Sequence, residues 1–161
     1  MLRWLRRRRT PPHGAGFNLI ELMIVVAIIA LLASIAIIAV LRARMITSEK
    51  LAVTSLRAMR QSLEMYLMVY QAYPPDLTNM GAPKVCPPFL QPNMIGDGLT
   101  FTRQGYIFIY APPGGSTYTI LANPVTHGTT GERHFLTDNT QAVHFTVQNQ
   151  DALATDPLVP D

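Results

Sequence analysis

The chain of 161 residues is long enough for one globular domain plus a membrane-spanning segment. Its formal net charge of +3 is misleading, because five of the thirteen Lys and Arg residues lie in the first sixteen positions and the remainder carries eight Lys and Arg against ten Asp and Glu. This balance argues against a basic nucleic-acid-binding domain, and the single cysteine excludes an intramolecular disulfide.

Residues 1–16 form a basic leader in which five arginines precede a stretch rich in proline and glycine. Proline and glycine keep such a stretch extended and accessible to a protease. Arginine-rich tracts can bind phosphate groups, but beside an apolar helix they more often hold that end of the chain in the cytoplasm. A weaker basic cluster, Arg42, Arg44 and Lys50, lies beyond the apolar segment. We therefore expect a single-pass membrane protein with a cytoplasmic amino terminus and an outer carboxy-terminal domain.

The apolar segment Leu22–Leu41 contains twenty residues without a charge, and thirteen of them are Leu, Ile or Val. A helix of this length spans the roughly 30 Å hydrocarbon core of a bilayer. A cleaved signal peptide is the main alternative, but its apolar core is shorter, about 7–15 residues, and its cleavage site follows that core. Here the small residues around Ser34 that imitate a cleavage site lie inside the apolar segment. We therefore expect the mature protein to retain the segment.

Glu21 borders this apolar segment, where an ionised side chain is costly unless it is solvated or paired. One interpretation is that Glu21 lies among the lipid head groups at the end of a simple membrane anchor. The other is that Glu21 pairs with a positive group of a second subunit and fixes the register between them, a role for which buried ion pairs are well attested.

The segment GFNLIELMIVVAIIALLASIAI, which begins at Gly16, resembles the amino terminus of type IV pilin-like proteins, a family that includes type IV pilins and the pseudopilins of type II secretion. The resemblance implies that a prepilin peptidase cuts between Gly16 and Phe17 and that the new amino-terminal Phe17 is N-methylated. Glu21 then becomes the fifth residue of the product. The chain departs from the family by having Asn18 where a small hydroxyl residue is usual, and by having neither Gly nor Pro between Phe17 and Tyr73.

The resemblance also implies a structural role in a helical filament of identical subunits, with the apolar helices inside and the outer domains on the surface. The implied partners are the prepilin peptidase, an inner-membrane platform protein and a cytoplasmic assembly ATPase. Whether the filament is an extracellular pilus or a periplasmic secretion pseudopilus stays open at this point. Two alternatives from other classes are a membrane-anchored binding module that does not polymerise and an anchored hydrolase.

One long helix is predicted from residues 17–41 and 42–73 together, with a length of about 85 Å. In its second half apolar residues recur at intervals of three and four, which is typical of an amphipathic helix with one face against a core. Pro74-Pro75 then ends the helix because neither ring permits its continuation. The predicted core face consists of Ala52, Leu56, Met59, Leu63, Tyr66 and Tyr70.

Residues 74–104, rich in proline, glycine and asparagine, are predicted to form a connecting loop. The resemblance implies that this loop is exposed at the surface. Residues 105–147 indicate two β-hairpins and so a small antiparallel sheet with one face free to pack on the helix. The predicted fold class is therefore α+β, in an order that also resembles the pilin fold, and residues 148–161 are expected to be a loosely ordered tail. The predicted strands are Tyr106–Tyr110, Thr117–Ala122, Arg133–Thr137 and Ala142–Val147.

The sequence contains no set of residues spaced for catalysis, and we predict neither enzyme activity nor a cofactor. His127, His134 and His144 are possible zinc ligands, but zinc needs three or four ligands and no cysteine or carboxylate is spaced to complete the set. We therefore expect surface or cross-strand histidines and no metal site. Cys86 is expected to be a half-buried small apolar residue rather than a reactive thiol.

Overall fold

The computed structural model describes residues 18–112 and 117–160. The chain divides into two units, the first ending at Ile38 and the second beginning at Ala39. The leader and the predicted cleavage site between Gly16 and Phe17 lie outside the described residues.

A single helix, α1, runs from Leu19 to Tyr70 and confirms the long helix that the sequence predicts. It ends three residues earlier than expected. Gln71 takes a left-handed conformation with φ 58°, and its amide donates to the carbonyl oxygen of Leu67 at 2.8 Å. This is a common way for a helix to end, and it comes before the prolines that would have stopped the helix in any case.

Five strands form one antiparallel sheet in which each strand pairs with the next along the chain, so the α+β class is confirmed. Four of the strands lie within two residues of the predicted ones, whereas β1 falls inside the predicted loop and was missed. Residues of β1 pair with β2 along its whole length, and Phe101 lies opposite Phe108. The strands are β1 Thr100–Arg103, β2 Tyr106–Ala111, β3 Thr119–Pro124, β4 His134–Asp138 and β5 Val143–Thr146.

The second half of α1 supplies one side of the hydrophobic core, and alternate residues of the sheet supply the other. The predicted helix face is wrong at Tyr70, which is 49% exposed, whereas Tyr66 is half-buried and packs against the core. Tyr70 stacks on Tyr66 with ring centroids 4.4 Å apart instead of entering the core. The helix residues that are buried as predicted are Ala52, Leu56, Met59 and Leu63.

Part of the connection from α1 to β1 belongs to the core, so the prediction of an exposed loop is wrong for that part. Leu77 and Met80 lie in a short 3-10 turn, Leu77–Met80, and both are fully buried. The Oδ1 atom of Asp76 caps this turn by accepting from the Thr78 amide at 2.8 Å. The apolar residues of this connection have no regular spacing, so no period in the sequence marks them as buried.

The segment after β5 is tied to the sheet and is not the loose tail that the sequence predicts. The Phe145 amide donates to the Pro157 carbonyl oxygen at 2.9 Å, and the Val159 amide donates to the Val143 carbonyl oxygen at 2.8 Å. Ala152 is buried as well, at 1% exposed. The segment therefore satisfies backbone groups on the outer side of β5, which would otherwise be an open sheet edge.

Candidate functional site

Glu21 lies in the first turn of α1 with its side chain exposed. In the part of the chain that the structure describes, no cation pairs with its carboxylate. A carboxylate in the first helical turn is favoured by the helix dipole by roughly 0.3–1 kcal/mol. The group is therefore compatible with the helix start and accessible to a positive group of another molecule.

Asn18 caps the start of α1, a role that the sequence analysis did not assign. Its side-chain Oδ1 accepts a hydrogen bond from the Ile20 amide at 3.3 Å, and its carbonyl oxygen accepts one from the Leu22 amide at 3.2 Å. Serine and threonine cap helices in the same way. Asn18 thus keeps the capping chemistry of the small hydroxyl residue that it replaces, and the sequence signal was an asparagine directly before an apolar run.

The apolar segment is exposed on every side of the helix. Its large apolar side chains range from 48% exposed at Val25 to 69% exposed at Ile35. Among the described helices α1 alone is long and apolar enough to cross a membrane, judged by length and composition. Ser34, the polar residue of the segment, donates its hydroxyl to the Leu31 carbonyl oxygen at 2.7 Å and needs no water. Such a surface requires lipid or other apolar protein to cover it.

The three histidines do not converge on one point. His134 and His144 lie on the adjacent strands β4 and β5, but their Nδ1 atoms have separate partners, Asn123 Oδ1 at 3.0 Å and the Asp156 carbonyl oxygen at 2.7 Å. The ring of His127 stacks on that of His134 with centroids 5.5 Å apart. Within residues 18–112 and 117–160, no group of three or more His, Cys, Asp or Glu side chains could hold a metal ion.

The titratable groups of the core are held in their uncharged forms. Burial raises the pKa of Tyr106, Tyr110 and Tyr118 well above the ordinary value of 10. Burial, followed by the hydrogen bond that its hydroxyl donates to Glu64, raises the pKa of Tyr73 to about 12. A raised pKa is expected for a tyrosine hydroxyl that is buried in a core. It moves the pKa away from the neutral range in which acid–base catalysis operates.

Cys86 is exposed, so the prediction of a half-buried side chain is wrong. The neighbouring Pro87 and Pro88 are exposed as well. This part of the connection therefore lies outside the core to which Leu77 and Met80 belong.

The chain is similar to a protein of a type II secretion system. The chain is 31% identical over 114 residues to the type II secretion system core protein G of Escherichia coli (strain K12), and the match covers 70% of this chain and 74% of that protein. No protein-family model and no solved structure matches the chain. A match of 114 residues is more than twice the 52 residues of α1, so the similarity extends beyond the apolar helix, where composition alone can produce a resemblance.

Proposed function

The chain belongs to the family of the type II secretion system core protein G, and from this premise we propose that it is the precursor of a filament subunit of that kind of secretion system. The observation that carries the proposal is the apolar half of α1, which is exposed on all sides. One copy cannot cover this surface. Lipid covers it before assembly, and the helices of other copies cover it in the filament.

This exchange costs little free energy, because lipid tails are about as apolar as leucine side chains. The helix–helix contacts in the filament therefore depend on close packing rather than on a hydrophobic gain. An assembly ATPase acting through an inner-membrane platform protein supplies the direction of the transfer. The role is structural, and it assigns no catalytic residue.

Maturation begins with the leader. In this proposal a prepilin peptidase cuts between Gly16 and Phe17, and the new amino terminus of Phe17 is methylated. The family and the Gly-Phe pair followed by Glu21 support this assignment. The leader arginines keep the cutting site on the cytoplasmic side of the inner membrane.

Glu21 acts in assembly. Cleavage creates an α-amine, which is mostly protonated at neutral pH, four residues before Glu21. Because the Glu21 carboxylate is exposed and no described cation pairs with it, it is available to the amine of a second copy. Two charges that are costly alone in an apolar setting then form a pair that fixes the axial register of the subunits. Since the matched relative is named for a secretion system, we favour a periplasmic pseudopilus over an extracellular pilus.

Mass spectrometry of the amino terminus tests the maturation steps. The expected product starts at N-methylated Phe17, and Gly16→Ala should impair its formation while Gly14→Ala, in the same leader, should not. An intact Met1 or a product that starts beyond Leu41 would contradict the assigned cleavage.

Electron microscopy of assembled material tests the role of Glu21. We expect Glu21→Ala to reach the membrane normally but to form few or no filaments, because the register pair is lost. Glu132→Ala, which removes an exposed glutamate of the carboxy-terminal unit, is the matched control and should assemble. A wild-type chain that stays monomeric in the membrane would favour the anchored binding module instead.

A further inference from the structure

A groove of about 550 Å³ runs beside the second half of α1, within the carboxy-terminal unit. Apolar and basic side chains line it together. They come from the helix, from β4 and the segment just before it, and from Val159 and Pro160 near the end of the chain. We call it the basic groove and define it by Ile46, Lys50, Val53, Arg57, Arg133 and Phe135.

The charges of the basic groove are predominantly positive. Among the described residues, Glu49 is the carboxylate that also lines the groove. It accepts hydrogen bonds from the Glu132 and Arg133 amides at 2.9 and 3.3 Å, and it lies 3.6 Å from the Arg133 guanidinium. Glu49 is thus committed to holding the segment that enters β4. Lys50 is exposed and lines the groove together with the apolar residues Ile46 and Val53, so the groove presents a cation next to an apolar surface.

A surface of complementary composition exists on the same chain. The 28 residues that follow Arg133 contain four aspartates and no Lys or Arg. Within this stretch, hydrogen bonds to β5 hold the main chain near Pro157 and Val159. Leu153 and Leu158 are left 55% and 57% exposed. Beside them, Asp151 Oδ1 accepts a hydrogen bond from the Asn123 side chain and Asp156 Oδ2 accepts one from the Leu153 amide, and both donors are uncharged. This surface, residues 151–158, is the acidic leucine segment.

We propose that the basic groove of one copy binds the acidic leucine segment of a second copy. The leucines cover the apolar surface of the groove, and the carboxylates face Lys50 and its neighbours. The inference rests on the proposed filament function, and it names the surfaces outside the membrane segment through which the copies meet.

In the filament the groove of one copy receives the segment of the next copy without a return contact, so in this proposal the contact is heterologous. A heterologous contact leaves a free groove on one copy and a free segment on the other, and it can therefore add copies without limit. Charge complementarity of this kind mainly fixes orientation and excludes wrong pairings. A filament requires both properties.

Cross-linking between two single-cysteine copies tests the contact directly. Both copies carry Cys86→Ser, so that each has one cysteine. One copy carries Lys50→Cys and a first epitope tag, and the other carries Leu153→Cys and a second tag. The two copies are expressed together and treated with a short bis-maleimide cross-linker. A mixed dimer is expected. The control replaces Lys50→Cys with Arg44→Cys, which is also exposed but lies about 120° away around the helix, and it should give no mixed dimer.

Charge reversal gives a second measurement. Lys50→Glu should lower filament yield at least about fivefold, Arg44→Glu should leave it unchanged, and the thermal stability of both variants should match that of the wild type. Filaments that form without the Lys50–Leu153 cross-link, or that form normally with Lys50→Glu, would overturn this inference and leave the filament function standing. Absence of filaments from the wild type would overturn both.

Discussion

The two halves of α1 form one continuous helix but differ in what surrounds them. Between Leu22 and Leu41 the large side chains are about half or more exposed on all sides, so no side of the helix is preferred. Between Ala52 and Leu63 the buried apolar residues recur every three or four positions. The difference shows that an apolar side chain stabilises the folded monomer only where the monomer itself covers it. In the first half, the same kind of side chain remains available to lipid or to other copies.

The largest expected effect comes from making the same substitution in both halves. Leu56 is fully buried and Leu31 is 65% exposed. Leu56→Ala should lower the free energy of unfolding of the carboxy-terminal unit by about 2–5 kcal/mol, because it leaves a cavity in the core. Leu31→Ala should not change it measurably. Chemical denaturation of the full chain in detergent, followed by the near-ultraviolet circular dichroism of its tyrosines, measures both. Equal losses of unfolding free energy in the two variants would show that the halves do not differ in how far their leucines stabilise the folded monomer.

The sequence predicts the parts of this comparison that depend on local pattern. A long uncharged run indicates the exposed half, and the spacing of Leu56, Met59 and Leu63 indicates the buried half. Alternation of aromatic and β-branched residues indicates β2, where Tyr106 and Phe108 face the core. In each case the physical cause is a period that one element imposes on its own residues.

The remaining features depend on contacts between distant parts of the chain. Strand β1 has only four residues and follows a glycine-rich turn, so its own sequence carries no clear strand pattern. Its pairing with β2 is the feature that identifies it as a strand. The sequence of the segment after β5, which contains Pro157, is typical of a loosely ordered tail. Only its hydrogen bonds to β5 show that it is fixed to the sheet. The basic groove brings Lys50 beside Phe135, which is 85 positions later. For Glu21, position near the start of the helix follows from the sequence, whereas its place in the first turn depends on a helix that begins at Leu19 and not at Phe17. The cleavage between Gly16 and Phe17 stays a prediction.

An effect of intermediate size on stability is expected from removing either of two tyrosine hydroxyls. The comparison concerns whether polar groups in each half of α1, and in the core that covers it, have hydrogen-bond partners. In the apolar half, Ser34 satisfies its hydroxyl within its own helix. In the core that covers the second half, Tyr110 donates to the Pro74 carbonyl oxygen at 2.7 Å, whereas the buried Tyr118 hydroxyl has no partner among the described residues.

Tyr110→Phe should therefore destabilise the carboxy-terminal unit by about 1 kcal/mol, since it also leaves the buried Pro74 carbonyl oxygen unpaired. Tyr118→Phe should be neutral or stabilising, because it removes an unsatisfied buried group. The two rings lie 6.5 Å apart in the same cluster, so each variant is the control for the other in thermal unfolding. Destabilisation by Tyr118→Phe would mean that its hydroxyl has a partner.

The smallest expected effect is a pH dependence that belongs to the carboxy-terminal unit alone. Burial, and then the nearby His127, lower the pKa of His134 below 6.5, while Asp151 opposes this shift. The Asn123 amide donates to Asp151 Oδ1 at 2.6 Å, so its oxygen faces His134 Nδ1 and makes that atom the donor. The buried Nε2 atom has no partner among the described residues. A second proton on Nε2 would therefore be buried without an acceptor.

Because the pKa of His134 is lower in the folded state, the unfolded chain binds this proton more readily. The stabilising contribution of neutral His134 is complete above pH 6.5 and is lost as the pH falls below that value toward the lowered pKa. Unfolding of the full chain in detergent, compared at about pH 7.5 and about pH 5.5, should show this loss, and His134→Asn should reduce it. His127→Gln should reduce it partly, because it removes a charge that disfavours protonation of His134. Membrane association should stay constant over the same range, since Leu22–Leu41 contains no titratable side chain. A parallel loss of membrane association would show that the two halves of α1 are not independent.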